Sequence, residues 1–261
     1  MEIEGFQPCR LRASPPQQLR PAANRSKLPA RIPATPDTSA TLSMQLALFD
    51  LDNTLIAGDS DYSWGEFLVR IGKVDAETYQ AANTRFYADY QRGQLDIHAY
   101  LRFALAPLAA TEPAELAAIR ERFMREVISD LWLPRAEALI RSHRERGHRP
   151  VIVTATNRFV VEPICLKLGI SDIIATEPEI IAGRYTGAVR GEPSFGPGKV
   201  SRLREWLVQH GFALTGSYYY GDSINDLPIL EAVDNPVAVD PDDRLRAAAI
   251  ARGWPVISLR D

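Results

Sequence analysis

The sequence predicts an α/β fold: a parallel β-sheet covered by helices, with a small all-helical module inserted after the first strand. Three observations carry this. Leu46-Ala47-Leu48-Phe49 is an unbroken apolar run ending on Asp50, the pattern of a strand buried on both faces at the centre of a parallel sheet. From residue 131 onward, short apolar runs alternate with amphipathic stretches of helix length, the rhythm of strand, crossover and strand. Between the two, residues 58–130 repeat their apolar positions at spacings of three and four, which is helical periodicity. The sheet core is therefore expected over 44–59 and 131–261, and the helical module over 60–130.

The chain has 261 residues, 46% of them apolar, and a formal net charge of -3. That suffices for a sizeable core in one large domain or two smaller ones. The charge balance gives no reason to expect a nucleic-acid partner. Cys9 and Cys165 are the only cysteines. They form neither a metal spacing nor a disulfide framework, which suits a reducing, cytoplasmic setting. No apolar run approaches the roughly 18 residues of a membrane span.

Residues 1–43 stand apart. They hold seven of the 19 prolines, several arginines and few large apolar side chains. Proline breaks helices, and so little apolar surface cannot offset the entropy of ordering. This extension is expected to be disordered. It lacks the apolar core of a secretory signal. Being basic and acid-poor, it fits a targeting peptide; the preferred reading is that translation begins at Met44, directly before the first strand.

In the helical module, Trp64, Phe67, Leu68 and Ile71 mark one helix, and Tyr79, Phe86, Tyr87 and Tyr90 a second. Leu101, Leu105 and Leu108 mark a third, and Leu116, Ile119, Phe123 and Val127 a fourth. Gly72, Gly93 and Pro113 punctuate them. The aromatics read as a packing face rather than a cofactor box. Arg85, Arg102 and Arg125 could face a ligand, although most helix arginines are surface residues. Residues 136–146 then form a helix stopped by Gly147. His143 and His148, flanking Arg144-Glu145-Arg146, read as its solvated end rather than as a ligand pair. Strands are expected at 149–154, 172–176, 218–221, 236–239 and 255–259, and helices at 160–168, 199–210, 227–233 and 244–252. A hairpin over 180–189 turns at Ala182-Gly183-Arg184. No internal repeat is visible.

Ligands of open α/β sheets sit beyond the carboxyl ends of the strands, where the pair Asp50 and Asp52 falls. A carboxylate can act as a nucleophile and become phosphorylated. Two carboxylates this close repel unless a proton or cation intervenes, and a hard ion such as Mg2+ meets that need. Alone, Asp50-Leu51-Asp52-Asn53-Thr54 fits a solvated strand end turning at Asn53 equally well. Three later segments weigh against that. Thr154, followed by Ala155-Thr156-Asn157, offers a hydroxyl and backbone N–H groups to a phosphate oxygen, or a plain helix cap. Lys199 opens a helix within Gly196-Pro197-Gly198-Lys199-Val200, where it can offset charge on a phosphate and on an aspartate nucleophile. It is no P-loop lysine, because Pro193 replaces the first glycine and Val200 supplies no hydroxyl. Gly221-Asp222-Ser223-Ile224-Asn225-Asp226 closes another apolar strand. Glycine there lets the backbone approach a ligand. Asp222 can complete an oxygen shell around Mg2+ with Asp50, while Asp226 can anchor Lys199 or a metal-bound water.

In this order the four segments resemble the haloacid dehalogenase superfamily of phosphatases, over about residues 44–261. The resemblance implies a Rossmann-like core and a helical cap, the cap being similar to that of the phosphoserine-phosphatase-like branch. It implies that Asp50 is the nucleophile that forms an aspartyl-phosphate, and that Asp52 is the general acid for the leaving alcohol and then the base for water. Thr154 and Lys199 hold phosphate oxygens. Asp50, the backbone carbonyl of Asp52, and Asp222 bind Mg2+; Asp226 supports that site and Asn225 helps to orient it. Thr54 bonds local backbone or phosphate. The partner is a small-molecule phosphate ester. Asp59 matches the acidic position that meets the substrate ammonium in phosphoserine enzymes, one carbon shorter than their glutamate, and no cap arginine is matched to a substrate carboxylate. Residues 57–67 are similar to bacterial histidinol-phosphatases of this branch. Histidinol phosphate is therefore the first expected substrate, its imidazole stacking on Trp64 or Tyr87. Phosphoserine comes second and a broad range of phosphomonoesters third. A phosphotransferase on the same scaffold and a non-catalytic binding module are the competing classes.

Overall fold

The computed structural model describes residues 44–260; the N-terminal extension expected to be disordered lies outside them. β1 (Leu46–Phe49) is buried at every position, as its unbroken apolar run requires. Four helices follow: α1 (Ser60–Arg70), α2 (Ala76–Gln91), α3 (Ile97–Ala110) and α4 (Pro113–Glu126). Asp59, Asp75 and Asp96 cap the first three, each carboxylate accepting backbone N–H groups of the opening turn. The α/β part resumes with α5 (Pro134–Glu145), β2 (Arg149–Asn157), α6 (Arg158–Lys167) and β3 (Ile173–Thr176). A hairpin of β4 (Pro178–Ile181) and β5 (Arg184–Val189) turns through Ala182 and Gly183, both at positive φ. Then come α7 (Pro197–His210), β6 (Tyr218–Gly221), the short α8 (Leu227–Leu230), β7 (Asn235–Val239), α9 (Asp243–Arg252) and β8 (Val256–Ile257).

Six strands form one sheet in the order β3-β2-β1-β6-β7-β8, every neighbouring pair parallel. The chain builds outward from β1 to β3, then crosses back to place β6 on the other side of β1. That reversal opens a crevice at the carboxyl ends of β1 and β6, the place where such sheets bind ligands. One face of the sheet shares its core with α1, α3 and α4 of the inserted helices and with α5 and α6, joining Phe49, Ile152 and Tyr220 to Trp64, Phe67, Phe123 and Phe159. The opposite face packs on α7, α8 and α9 through Leu203, Leu207, Leu230 and Leu245.

Two departures from expectation concern the site. β2 runs on to Asn157, three residues past the expected end, because Asn157 still pairs beside Thr176 after an irregularity. The helix expected from Leu227 to Val233 is shortened to Leu227–Leu230 and preceded by a 3-10 turn over Ile224–Asp226. A third departure concerns His143, which is completely buried rather than part of a solvated helix end. Its spacing from Ala136 and Ile140 puts it on the inner face of α5. One ring nitrogen lies 2.8 Å from the Tyr220 hydroxyl and the other 2.9 Å from His148 Nδ1. Burial, with Arg146 and His148 adding to it, pushes its pKa down to about 3. Among the described residues no helix is long and apolar enough to cross a membrane.

Candidate active site

The ends of β1 and β6 and the first turn of α7 bring together groups that the sequence places up to 176 positions apart, from Asp50 to Asp226. Lys199 Nζ donates to Asp50 Oδ1 at 2.7 Å and to Asp226 Oδ1 at 2.6 Å. The Tyr219 hydroxyl donates to the same Asp226 oxygen at 2.8 Å, and the Ser223 N–H to its partner oxygen at 3.4 Å. Asp226 is thereby committed to the protein. Gly221 is needed for this: a Cβ there would lie 2.5 Å from Asp226 Oδ2. Asp222 accepts from the Thr54 hydroxyl at 3.2 Å. Thr54 is fully buried in doing so, so it braces Asp222 and does not line the cavity.

One carboxylate oxygen from each of Asp50, Asp222 and Asp226 lies within 4.8 Å of the other two. Burial pushes Asp50 and Asp222 well up from the usual carboxylate range, against the opposing pull of Lys199, and their neighbouring carboxylates push the same way. Burial alone would lower the Lys199 ammonium; Asp226 and Asp50 outweigh it and hold it above the ordinary lysine value. The site thus concentrates three carboxylates around one ammonium. That excess of negative, all-oxygen donors fits a hard divalent cation, with Asp50 and Asp222 as the side chains that have oxygens left to give.

Asp52 is held from both sides. Its Oδ1 accepts the Ser60 N–H at 2.7 Å and its Oδ2 the Thr156 hydroxyl at 2.8 Å. Burial, and then the Asp59 charge, push its pKa up to about 7. Thr154 is 1% exposed, yet lines the same cavity, with its hydroxyl oxygen accepting the Thr156 N–H at 3.2 Å. Asn157 realises the alternative reading of this segment as well, capping α6 through the Val160 N–H at 3.3 Å. Asn225 lines the cavity next to Asp226.

The cavity extends from these groups into the inserted helices. Asp59 faces it while capping α1, its Oδ1 accepting the Asp61 and Tyr62 N–H groups at 3.0 and 2.8 Å. Burial pushes Asp59 up to about 6. Tyr62, Phe86, Tyr87 and Tyr90 form aromatic walls. Phe86, Tyr87 and Tyr90 thus do more than pack the module, contrary to the packing-face expectation. Trp64 does not line the cavity. It is 2% exposed and packs edge-on against Phe123 and Phe159, so no substrate ring can stack on it. Arg85, Arg102 and Arg125 are exposed and also absent from the lining. Among the described residues Lys199 is the only basic side chain that lines the cavity.

Sequence reasoning missed Asp61, Thr156, Asn83 and Tyr100. Asp61 is 8% exposed and accepts from the Tyr100 hydroxyl at 2.6 Å and from Asn157 Nδ2 at 3.1 Å. Burial pushes it up to about 7. The one available signal was its spacing, two residues after Asp59 at the start of the first inserted helix.

A model of haloacid dehalogenase-like hydrolases matches residues 47–231, from β1 through the Asp222 segment. The chain belongs to the haloacid dehalogenase-like hydrolases. Within that family it is a phosphatase. A histidinol-phosphatase of Neisseria meningitidis serogroup C (strain 8013) is 45% identical over 219 residues, 82% of this chain and 99% of its own length. The phosphoserine phosphatase SerB1 of Mycobacterium tuberculosis (strain ATCC 25618 / H37Rv) is 32% identical over 95% of this chain and 83% of its own length. Among solved structures, a protein of unknown function from Bordetella pertussis Tohama I has a TM-score of 0.78 at 46% identity, covering 83% of this chain and 99% of its own. Of the inserted helices, the cap of the sequence expectation, α1, α2 and α3 contribute residues to the cavity lining, and the hairpin packs on α3.

Proposed function

We propose that this phosphatase hydrolyses histidinol phosphate, a small phosphomonoester carrying an ammonium and a flat nitrogen ring but no carboxylate, with Mg2+ as its ion. One observation carries the choice of substrate: the cap end of the cavity presents Asp59, Asp61 and aromatic rings, and among the described residues no basic side chain. Carboxylates and aromatic faces suit a cation. Phosphoserine, the second reading, would bring a carboxylate with no cationic partner into an acidic pocket.

Asp50 is the nucleophile. It attacks phosphorus, the ester bond to the alcohol oxygen breaks, and an aspartyl-phosphate forms on its carboxylate. Lys199 fixes the rotamer of Asp50 through Oδ1 and supplies positive charge beside the incoming ester. Asp226, with Tyr219 behind it, holds Lys199 in that position. Thr154 and the N–H groups of the turn behind it hold phosphate oxygens. Asp52 protonates the departing oxygen. Its raised pKa keeps a proton available near neutrality. That proton belongs on Oδ2, because Oδ1 faces a backbone N–H that can only donate, whereas the Thr156 hydroxyl at Oδ2 can reverse its role. The Asp52 carboxylate left behind then takes a proton from water as that water attacks phosphorus, releasing phosphate and restoring Asp50. Asp50, the Asp52 carbonyl and Asp222 would hold Mg2+, which when bound neutralises charge between nucleophile and ester.

A panel of histidinol phosphate, phosphoserine and sugar phosphates, assayed for phosphate release with and without Mg2+, tests this. Histidinol phosphate is expected to have the highest kcat/KM, and Asp50→Asn is expected to abolish turnover in a folded protein. Phosphoserine turned over as well as histidinol phosphate would overturn the choice of substrate. Release to an acceptor in place of water would favour a phosphotransferase.

A further inference from the structure

The cap end of the cavity holds a polar atom that the motif residues do not account for, Oδ1 of Asn83. Asn83 lies on α2, is 3% exposed and lines the cavity. Its Nδ2 donates to the Tyr62 carbonyl at 3.1 Å and to Glu66 Oε1 at 3.4 Å. Both partners are acceptors, so they fix which end of the amide is nitrogen. Oδ1 meets no donor among the described residues. An amide oxygen on a cavity-lining side chain, with no protein donor bonded to it, is free to accept from what enters the cavity.

Gly65 explains how the amide is held. A Cβ at that position would come within 2.8 Å of Asn83 Nδ2 and 3.0 Å of Oδ1. The amide lies directly against the bare backbone of α1. A glycine inside a helix costs up to about 1 kcal/mol relative to alanine, and seating Asn83 accounts for it. Asp61 is close by in the same cavity, but both of its oxygens are already bonded, to Asn157 and to Tyr100. The rings of Tyr62, Phe86, Tyr87 and Tyr100 line the same cavity.

We propose that Asn83 Oδ1, seated by Gly65, is the specificity-determining acceptor for a ring N–H of a flat nitrogen heterocycle on the substrate. This rests on the histidinol phosphate reading above and names the group that would read its imidazole. The test compares kcat/KM for histidinol phosphate with that for an amino-alcohol phosphate lacking the ring, in wild type, Asn83→Leu and Gly65→Ala, with Mg2+ present. In Asn83→Leu the ratio of the two is expected to fall by about tenfold, the loss appearing in KM, as for one hydrogen bond in a desolvated pocket. Gly65→Ala keeps the amide but displaces it, and should lower the same ratio. If both variants lose activity on the two substrates in step, Asn83 is only a structural support and the proposal falls. A ratio within twofold of wild type in Asn83→Leu also overturns it. Wild type that fails to favour histidinol phosphate over the ringless ester removes the parent reading, a separate result read on the unaltered protein.

Discussion

Replacing Lys199 by methionine isolates the electrostatic centre of this site. The ammonium is 6% exposed and sits 2.7 Å from Asp50 and 2.6 Å from Asp226, which are 10% and 2% exposed as side chains. At an effective dielectric constant of about 20, each contact is worth roughly 6 kcal/mol of Coulomb attraction. Burying the three charges offsets most of that, so the pair terms do not measure net stability. Removing one partner is different, because it leaves uncompensated buried carboxylates, and the expected loss is about 3–5 kcal/mol. Methionine fills similar volume, so little of that loss comes from a cavity. The double variant Lys199→Met/Asp226→Asn should then recover part of it. One of the stranded charges is gone, and an amide oxygen at 226 still accepts from the Tyr219 hydroxyl. Urea unfolding of wild type, both single variants and the double variant, at one pH and in chelator, gives the coupling energy directly. A single-variant loss under 1 kcal/mol, or losses that simply add in the double variant, would refute the picture of a charge-balanced cluster.

Three further outcomes follow from the same geometry. Trp64→Ala removes a side chain that joins cap to core against Phe123 and Phe159, and should lower stability by about 3–5 kcal/mol in thermal or urea melts. His143 is neutral in the fold down to about pH 3, whereas the unfolded chain takes up its proton below about 6.5. Its contribution is therefore full above 6.5 and lost as the pH falls towards 3, by at most about 1.4 kcal/mol per unit. Wild type should thus lose its stability margin over His143→Gln on acidification across that window; a constant margin would contradict the buried neutral ring. Asp59→Asn should weaken histidinol phosphate more than a phosphomonoester with no amine, narrowing that preference about tenfold in competition assays, and an unchanged preference would remove Asp59 from amine recognition.

The core half of the site was legible because its groups lie where a strand closes or a helix opens, and the sequence announces both. Asp50 follows four consecutive buried apolar residues, and Gly221-Asp222 follows three tyrosines. Once strand ends are known to converge, the partners of Lys199 follow from charge. The cap half was less legible because amphipathic spacing shows that a helix has an apolar face, not what that face meets. Trp64 on α1 and Tyr87 on α2 carry the same periodic signal, yet one is sealed in the core and the other lines the cavity. Asp61 and Asn83 escaped notice for a related reason. Asp61 owes its role to Tyr100 and Asn157, at separations of 39 and 96 residues, and a polar residue inside a helix reads locally as solvent-facing. His143 was misread in the same way, its spacing from Ile140 carrying less weight than the charged neighbours beside it.

The two ends of the cavity have opposite electrostatic tasks, and this is what makes the carboxylate-rich cap compatible with an anionic substrate. On the proposed reading, Lys199, backbone N–H groups and an ion suited to Asp50 and Asp222 would receive the phosphate at the core end. At the cap end the carboxylates of Asp59 and Asp61 would attract an ammonium and disfavour an anion. A substrate carboxylate brought within about 5 Å of either aspartate in its ionised form would be repelled by roughly 3 kcal/mol at an effective dielectric of 20. That is more than a hundredfold in binding, with no clash required. Burial, with neighbouring carboxylates adding to it, raises the pKa values of Asp59 and Asp61 to about 6 and about 7. In the proposed reaction a substrate with phosphate at one end and a nitrogen cation at the other would relieve both ends at once, and so would enter in one orientation, with its ester oxygen towards Asp52.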